Sequence, residues 1–175
     1  MSAKDPESIQ WTLPEAEDMR DLGRALAEAL QPGDILVLTG DLGAGKTTFT
    51  QGLGQGLGVR GRVTSPTFTI SRIHPHPGAG PNLVHVDAYR VSDCLDLETV
   101  DLESTAAHAV TVIEWGEALI KTLTPDYFHL TFARAAAHST DSDLTGAEGV
   151  RTVCLRCVGA AERDFSAILP AAQTA

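Results

Sequence analysis

Residues 35–48 read ILVLTGDLGAGKTT. The run 35–38 is apolar throughout and short, which is the composition of a buried strand. Gly40, Gly45, Lys46 and Thr47 then fill the pattern G-x-x-x-x-G-K-[ST]. Each residue type in it has a physical job. The glycines permit positive φ and let backbone N–H groups approach an anion closely. Lys46 reaches the outer phosphates of a nucleotide, and the Thr47 hydroxyl is suited to Mg²⁺. The helix that follows, TTFTQGLGQGL, has modest propensity but turns its positive dipole end towards the same phosphates. Strand, loop and helix occur in the order that the motif requires. The residues expected against a bound nucleotide are Asp41, Leu42, Gly43, Ala44, Gly45, Lys46, Thr47 and Thr48.

The surrounding composition narrows the class. A chain of 175 residues with 43% hydrophobic content suits one soluble globular domain. No apolar run approaches the roughly 18–20 residues that span a bilayer. The N-terminal MSAKDPESIQW lacks the apolar centre of a signal peptide. A cytoplasmic protein without membrane contact is therefore expected. Thirteen Lys and Arg against 23 Asp and Glu leave a net charge of −10. Such a surface disfavours broad, autonomous binding to a nucleic-acid backbone. Lysines stand only at positions 4, 46 and 121. Three cysteines, Cys94, Cys154 and Cys157, argue against a disulfide framework. Cys154 and Cys157 lie in a strand-like run, where positions three apart face opposite sides. With no second pair, they read as small, partly buried side chains.

Residues 1–10 read as a loose terminus, 11–160 as the folded domain and 161–175 as a tail with a short helix. Thr12 and Glu15 form a T-x-x-E helix start, with Pro14 in the first turn. Met19, Leu22, Leu26, Ala29 and Leu30 follow on one helical face. Partial strand character is expected over 60–73. The stretch 74–81, HPHPGAGP, is a loop by composition, with its two histidines in solvent. Residues 83–86 and 110–113 read as buried strands, ending in Asp87 and Glu114. Residues 92–108 read as helical or mixed. The segments 127–134 and 150–158 alternate like strands with one wetter face. A polar loop lies between them.

Hydrolysis needs more than a phosphate loop. It needs a strand-end acid for Mg²⁺ or its waters, and a group that senses the γ-phosphate. Asp87 and Glu114 both stand at strand ends, where open α/β sheets gather ligands. Thr64, Ser65, Pro66 and Thr67 stand where a γ-phosphate-responsive loop is often found, and a hydroxyl there, Thr67 included, suits the phosphate oxygens or the metal. Arg60, Arg62 and Arg72 flank it. They are suited to phosphate charge, to an acidic partner, or to a plain solvated face. No lysine after the loop supplies the N/T-K-x-D element that reads guanine, so ATP is expected rather than GTP.

GDLGAGKTT, SPTFT, HVDAYR and IEWG, in that order and spacing, resemble the bacterial TsaE (YjeE) family. The likeness runs from about Leu13 to about Trp115. It implies an α/β fold: a single P-loop NTPase-type domain with a mixed central sheet flanked by helices. It implies ATP and Mg²⁺ as ligands, with Thr47 and Glu114 on the metal and Asp87 near the metal waters or the attacking water. Lys46 and Thr67 complete the implied catalytic set, Thr67 within a switch-like loop with Ser65 and Pro66. Trp115 packs at the site edge. The family's role is a weak, partner-dependent ATPase in threonylcarbamoyladenosine modification of tRNA. It acts with TsaB and TsaD, the transferase, and meets tRNA only indirectly. The insertion at 74–82 departs from the family pattern. Two other readings suit a phosphate loop, a small-molecule kinase and a non-hydrolysing nucleotide switch. Only Arg90 offers itself for a kinase lid, and the presence of both acids favours hydrolysis over switching.

Overall fold

A computed structural model describes residues 8–66, 70–89, 105–134, 149–161, 163–165, 167–168 and 173–174. Among these residues, eight strands form one sheet in the order β3-β4-β5-β2-β6-β7-β1-β8. They are β1 (Ser8–Leu13), β2 (Ile35–Thr39), β3 (Ser71–His74), β4 (Asn82–Asp87), β5 (Ala109–Glu114), β6 (Tyr127–Arg134), β7 (Arg151–Val158) and β8 (Gln173–Thr174). The helices that lie wholly within the described residues are α1 (Ala16–Ala29), α2 (Lys46–Leu57) and α3 (Glu117–Leu123). The four central strands β4, β5, β2 and β6 run parallel, and the flanking pairs are antiparallel. The mixed α/β sheet is the one expected.

Period-2 alternation sorts the sheet into two cores. Leu36, Leu38, Leu83, Val110, Val112 and Leu130 point to the face covered by α1 and α2. Val37, Val84, Val86 and Ile113 point to the face covered by Leu119 and Ile120 of α3. The residue pattern does not announce α3, which is under two turns long. Strands β2 and β5 are buried on both sides, as central parallel strands must be.

The first strand corrects the reading of the N-terminus. Ser8, Ile9 and Gln10, within the stretch expected to be loose, pair with Arg156, Leu155 and Cys154 of β7. Thr12 does not open a helix. It lies within β1 opposite Thr152, and Glu15 caps α1 instead, in a capping box with Asp18. The backbone N–H of Glu15 donates to Asp18 Oδ2 at 2.8 Å. The ladder wins because it buries Trp11 and Leu13, each contributing roughly 1.5–3 kcal/mol. A helical turn begun at Thr12 would forfeit that burial.

Three further expectations change. The strand near 60–73 is confined to Ser71–His74; Val63 is buried without belonging to a strand. His74 is not in solvent but 5% exposed, as the last residue of β3. His76 orders the loop that follows: its Nδ1 accepts the N–H groups of Gly78 at 2.9 Å and Gly80 at 3.1 Å. Among the described residues after Gly159 there is no helix. Phe165 packs edge-to-face on Phe128 at 5.2 Å, and Gln173–Thr174 pair with β1. Cys154 and Cys157 are both half-buried on β7, as expected. Thr67, Arg90, Cys94, residues 92–104 and most of the loop between β6 and β7 lie outside the described residues.

Helices α1 and α2 approach to backbone contact. A Cβ on Gly52 would lie 2.1 Å from the Arg20 carbonyl oxygen, and one on Gly23 would lie 2.3 Å from that of Phe49. The glycines that give TTFTQGLGQGL its low helix propensity thus set α2 close against α1. They thereby fix where the N-terminus of α2 points.

Candidate phosphate-binding site

The loop between β2 and α2 sits at the carboxyl edge of the parallel strands, between β5 and β6. Gly40 has φ +147°, and a Cβ there would lie 2.4 Å from the Phe132 carbonyl oxygen of β6. Only glycine lets the chain leave β2 at this point. Gly45 caps α2 in the left-handed region, with φ +108°. The helix ladder starts with Phe49 N–H donating to the Gly45 carbonyl at 2.9 Å. The N–H groups of Lys46, Thr47 and Thr48 precede that bond, so no helical carbonyl is in place for them. They are available to an anion at the positive end of α2.

Lys46 is 5% exposed. Its Nζ donates to the carbonyls of Gly40 at 2.5 Å and Asp41 at 3.0 Å. It also lies 4.4 Å from the centre of the Trp115 ring, in cation–π range. Burial lowers its pKa below the ordinary lysine value, against the opposing pull of Glu114, Asp41 and Asp87. The three carboxylates named there surround the lysine electrostatically. The loop therefore holds its cation with its own carbonyls, where a phosphate would offer a full negative charge.

Glu114 and Asp87 are partners in register across β5 and β4, so both acids stand side by side at the same strand ends. Glu114 is buried, and Asp87 is half-buried. Glu114 Oε1 lies 2.8 Å from Nε2 of His85, which is fully buried. Asp87 Oδ1 accepts the N–H of Tyr89 at 3.0 Å. Trp115 follows Glu114 with φ +60°, an uncommon conformation for a bulky residue. Its N–H donates to the Leu38 carbonyl at 3.2 Å, and Tyr89 packs on its ring at 5.3 Å. This unusual backbone turns the indole over Lys46.

The structure thus brings Lys46, Asp41, Asp87 and Glu114 together at the head of α2, with Thr47 and Thr48 half-buried in its first turn. Ser65 is half-buried and Pro66 buried. Arg72 is tied to the Thr64 hydroxyl at 2.5 Å, and Arg60 and Arg62 are exposed. His85 and Tyr89 stand inside the HVDAYR motif, but motif reading gave neither of them a role. A sequence signal for His85 existed: a histidine inside an apolar strand run, two residues before Asp87 and so on the same face.

No group of three His, Cys, Asp or Glu side chains suited to a metal occurs among the described residues. Mg²⁺ does not require one. It keeps several waters and takes one or two protein oxygens together with phosphate. A threonine hydroxyl at a helix head and a buried carboxylate are hard oxygen donors that fit this ion.

The family model described as "Threonylcarbamoyl adenosine biosynthesis protein TsaE" matches residues 13–142. The chain belongs to the TsaE family. Among its relatives, the tRNA threonylcarbamoyladenosine biosynthesis protein TsaE of Streptomyces coelicolor is 56% identical over 124 residues, 70% of this chain and 84% of that one. The TsaE of Bacillus subtilis is 36% identical over 140 residues, 78% of this chain and 85% of that one. The crystal structure of Bacillus subtilis YdiB superposes with a TM-score of 0.67 at 27% identity, covering 90% of both chains. The TsaE match spans β2, the phosphate loop, both acid-bearing strands and β6. No helix among the described residues is long and apolar enough to cross a membrane.

Proposed function

We propose that this TsaE-family protein is a Mg²⁺-dependent ATPase that supports threonylcarbamoyladenosine formation in tRNA, in the cytoplasm and together with TsaB and TsaD. The observation that carries the reading is the convergence of Lys46, Glu114 and Asp87 on the open N-terminus of α2. Lys46 binds the β- and γ-phosphates in exchange for the carbonyls of Gly40 and Asp41. The N–H groups of Lys46, Thr47 and Thr48 orient the phosphate chain. Thr47 and Glu114 hold Mg²⁺, which neutralises charge on the phosphate oxygens. Asp87, beside Glu114, orients water, and Thr67 senses the γ-phosphate. Trp115 and Tyr89 close the edge of the site against solvent. The absence of a guanine-reading lysine element supports ATP over GTP.

The acidic surface, net −10, supports contact with tRNA through partner proteins rather than directly. Relatives bearing the TsaE name in distant bacteria support the pathway. The test is ATP turnover by the protein alone and with TsaB and TsaD added together, alongside calorimetry with ATP and GTP. Weak turnover alone, stimulated by the partners, is expected, with ATP bound in preference. Transfer of the γ-phosphate to a small metabolite would replace the reading with that of a kinase. Binding without turnover under either condition would make the protein a switch.

A further inference from the structure

We infer that His85 is a positioning residue that fixes the metal-facing carboxylate of Glu114; the inference rests on the Mg²⁺ reading above. His85 lies in the middle of β4, opposite Val112 and diagonal to Glu114. Its side chain is completely buried, and Nε2 reaches Glu114 Oε1 at 2.8 Å. A buried carboxylate needs a donor, and this contact supplies one from a strand with no freedom to move. It engages one of the two carboxylate oxygens, Oε1.

The ring's other nitrogen settles the tautomer. Nδ1 of His85 is buried and has no hydrogen-bond partner among the described residues. An unpaired N–H there would be costly, whereas a bare ring lone pair costs less. The proton therefore sits on Nε2, and His85 donates to Glu114. A leucine of similar size would suit the apolar neighbours Leu83 and Val112 without leaving Nδ1 unpaired. The polar pair is thus a poor choice for packing alone. Its geometric consequence is a carboxylate that cannot rotate, set beside Asp87. Partners of ligating carboxylates act in this way, and losing one typically costs about 10–100-fold in metal affinity.

The test compares His85→Leu, which removes the donor, with His85→Gln, whose amide nitrogen stands near the position of Nε2. ADP binding is measured by calorimetry in EDTA and across a Mg²⁺ series, with thermal unfolding alongside. The expected result is a Mg²⁺ midpoint raised about tenfold or more in the leucine variant. Affinity in EDTA stays unchanged, and the glutamine variant returns to within about threefold of the parent on the same scale. If the leucine variant does not fold, His85→Asn, whose shorter amide falls away from Glu114, takes its place. An unmoved Mg²⁺ midpoint overturns the inference, as does an equal loss of affinity with and without metal. If the parent protein itself binds ADP independently of Mg²⁺, the metal reading falls first and this inference with it.

Discussion

Replacing Gly52 by alanine sets two effects of opposite sign against each other. Helix propensity favours alanine over glycine in a helix interior by ~1 kcal/mol. The packing opposes it. The new Cβ would lie 2.1 Å from the Arg20 carbonyl oxygen and 2.7 Å from the Arg20 Cα. Carbon and a carbonyl oxygen settle at ~3.3 Å, so α1 and α2 must separate by about 1 Å. The atoms met are backbone, so no side-chain rotation relieves the contact. Separation also loosens Met19, Leu22 and Leu26 from Phe49 and Leu53, all buried in one cluster. Overpacking of this kind costs ~3 kcal/mol, and ~1 kcal/mol of propensity offsets part of it. The net loss is ~2 kcal/mol, or about 4–8 °C in Tm for a chain of this size. Gly23→Ala strains the same interface from the other side. One separation serves both, so the double variant should lose less than the sum of the two. Thermal and urea unfolding of the three variants measure this. A Tm for Gly52→Ala equal to or above the parent's would refute the close approach of the helices.

Lys46→Met should weaken ATP binding about a hundredfold, the ~3 kcal/mol of a charge-assisted hydrogen bond, as read by calorimetry. Without nucleotide the same change should raise Tm at neutral pH. Burial holds the Lys46 pKa below 10.5, so the folded state penalises its charge. That penalty is full below the folded pKa and is relieved as pH rises towards 10.5, so the gain should shrink with alkalinity; a gain that grows would contradict it. Glu114→Gln should shift the Mg²⁺ dependence of nucleotide binding by about 10–100-fold. Asp87→Asn should lower turnover more than binding, and the opposite pattern would exchange the roles of the two acids. His74 is buried with Nε2 lacking a hydrogen-bond partner among the described residues, and burial lowers its pKa below 6.5, helped by His85 and Arg72. The unfolded chain therefore takes up its proton first, and stability falls as pH drops from 6.5. His74→Leu should stabilise the protein by about 1–3 kcal/mol, more at pH 5.5 than at pH 8 by urea midpoint. An equal gain at both values would remove His74 from the acid response.

Much of the site was legible because its signals are local. Gly40, Gly45, Lys46 and Thr47 work at fixed spacing along one loop, and their residue types follow from backbone φ and from phosphate chemistry. Asp87 and Glu114 were legible as the residues that follow apolar strand runs, since period-2 alternation and length mark a buried strand wherever it pairs. The amphipathic face of α1 was legible for the same reason, through its spacing of three and four. These readings determined the α/β class, the glycine-rich loop after β2 and the family.

The tertiary structure decided what depends on partners far away in sequence. Thr12 carries a valid helix-start pattern, yet β1 pairs with β7 some 140 residues on, and burial of Trp11 outweighs the cap. Trp11 Nε1 donates to the Ile168 carbonyl at 3.0 Å, a bond that no local pattern encodes. The glycines of α2 look like poor helix formers until α1 is seen against them. His74 looks like part of a wet loop until β3 buries it. The side-by-side placement of Glu114 and Asp87, the bond from His85 and the turn of Trp115 over Lys46 exist only once β4, β5 and β2 are in register. Residue type and spacing set the chemistry that the loop offers. Strand pairing and helix contact set which groups it meets, because burial and hydrogen bonding act between neighbours in space.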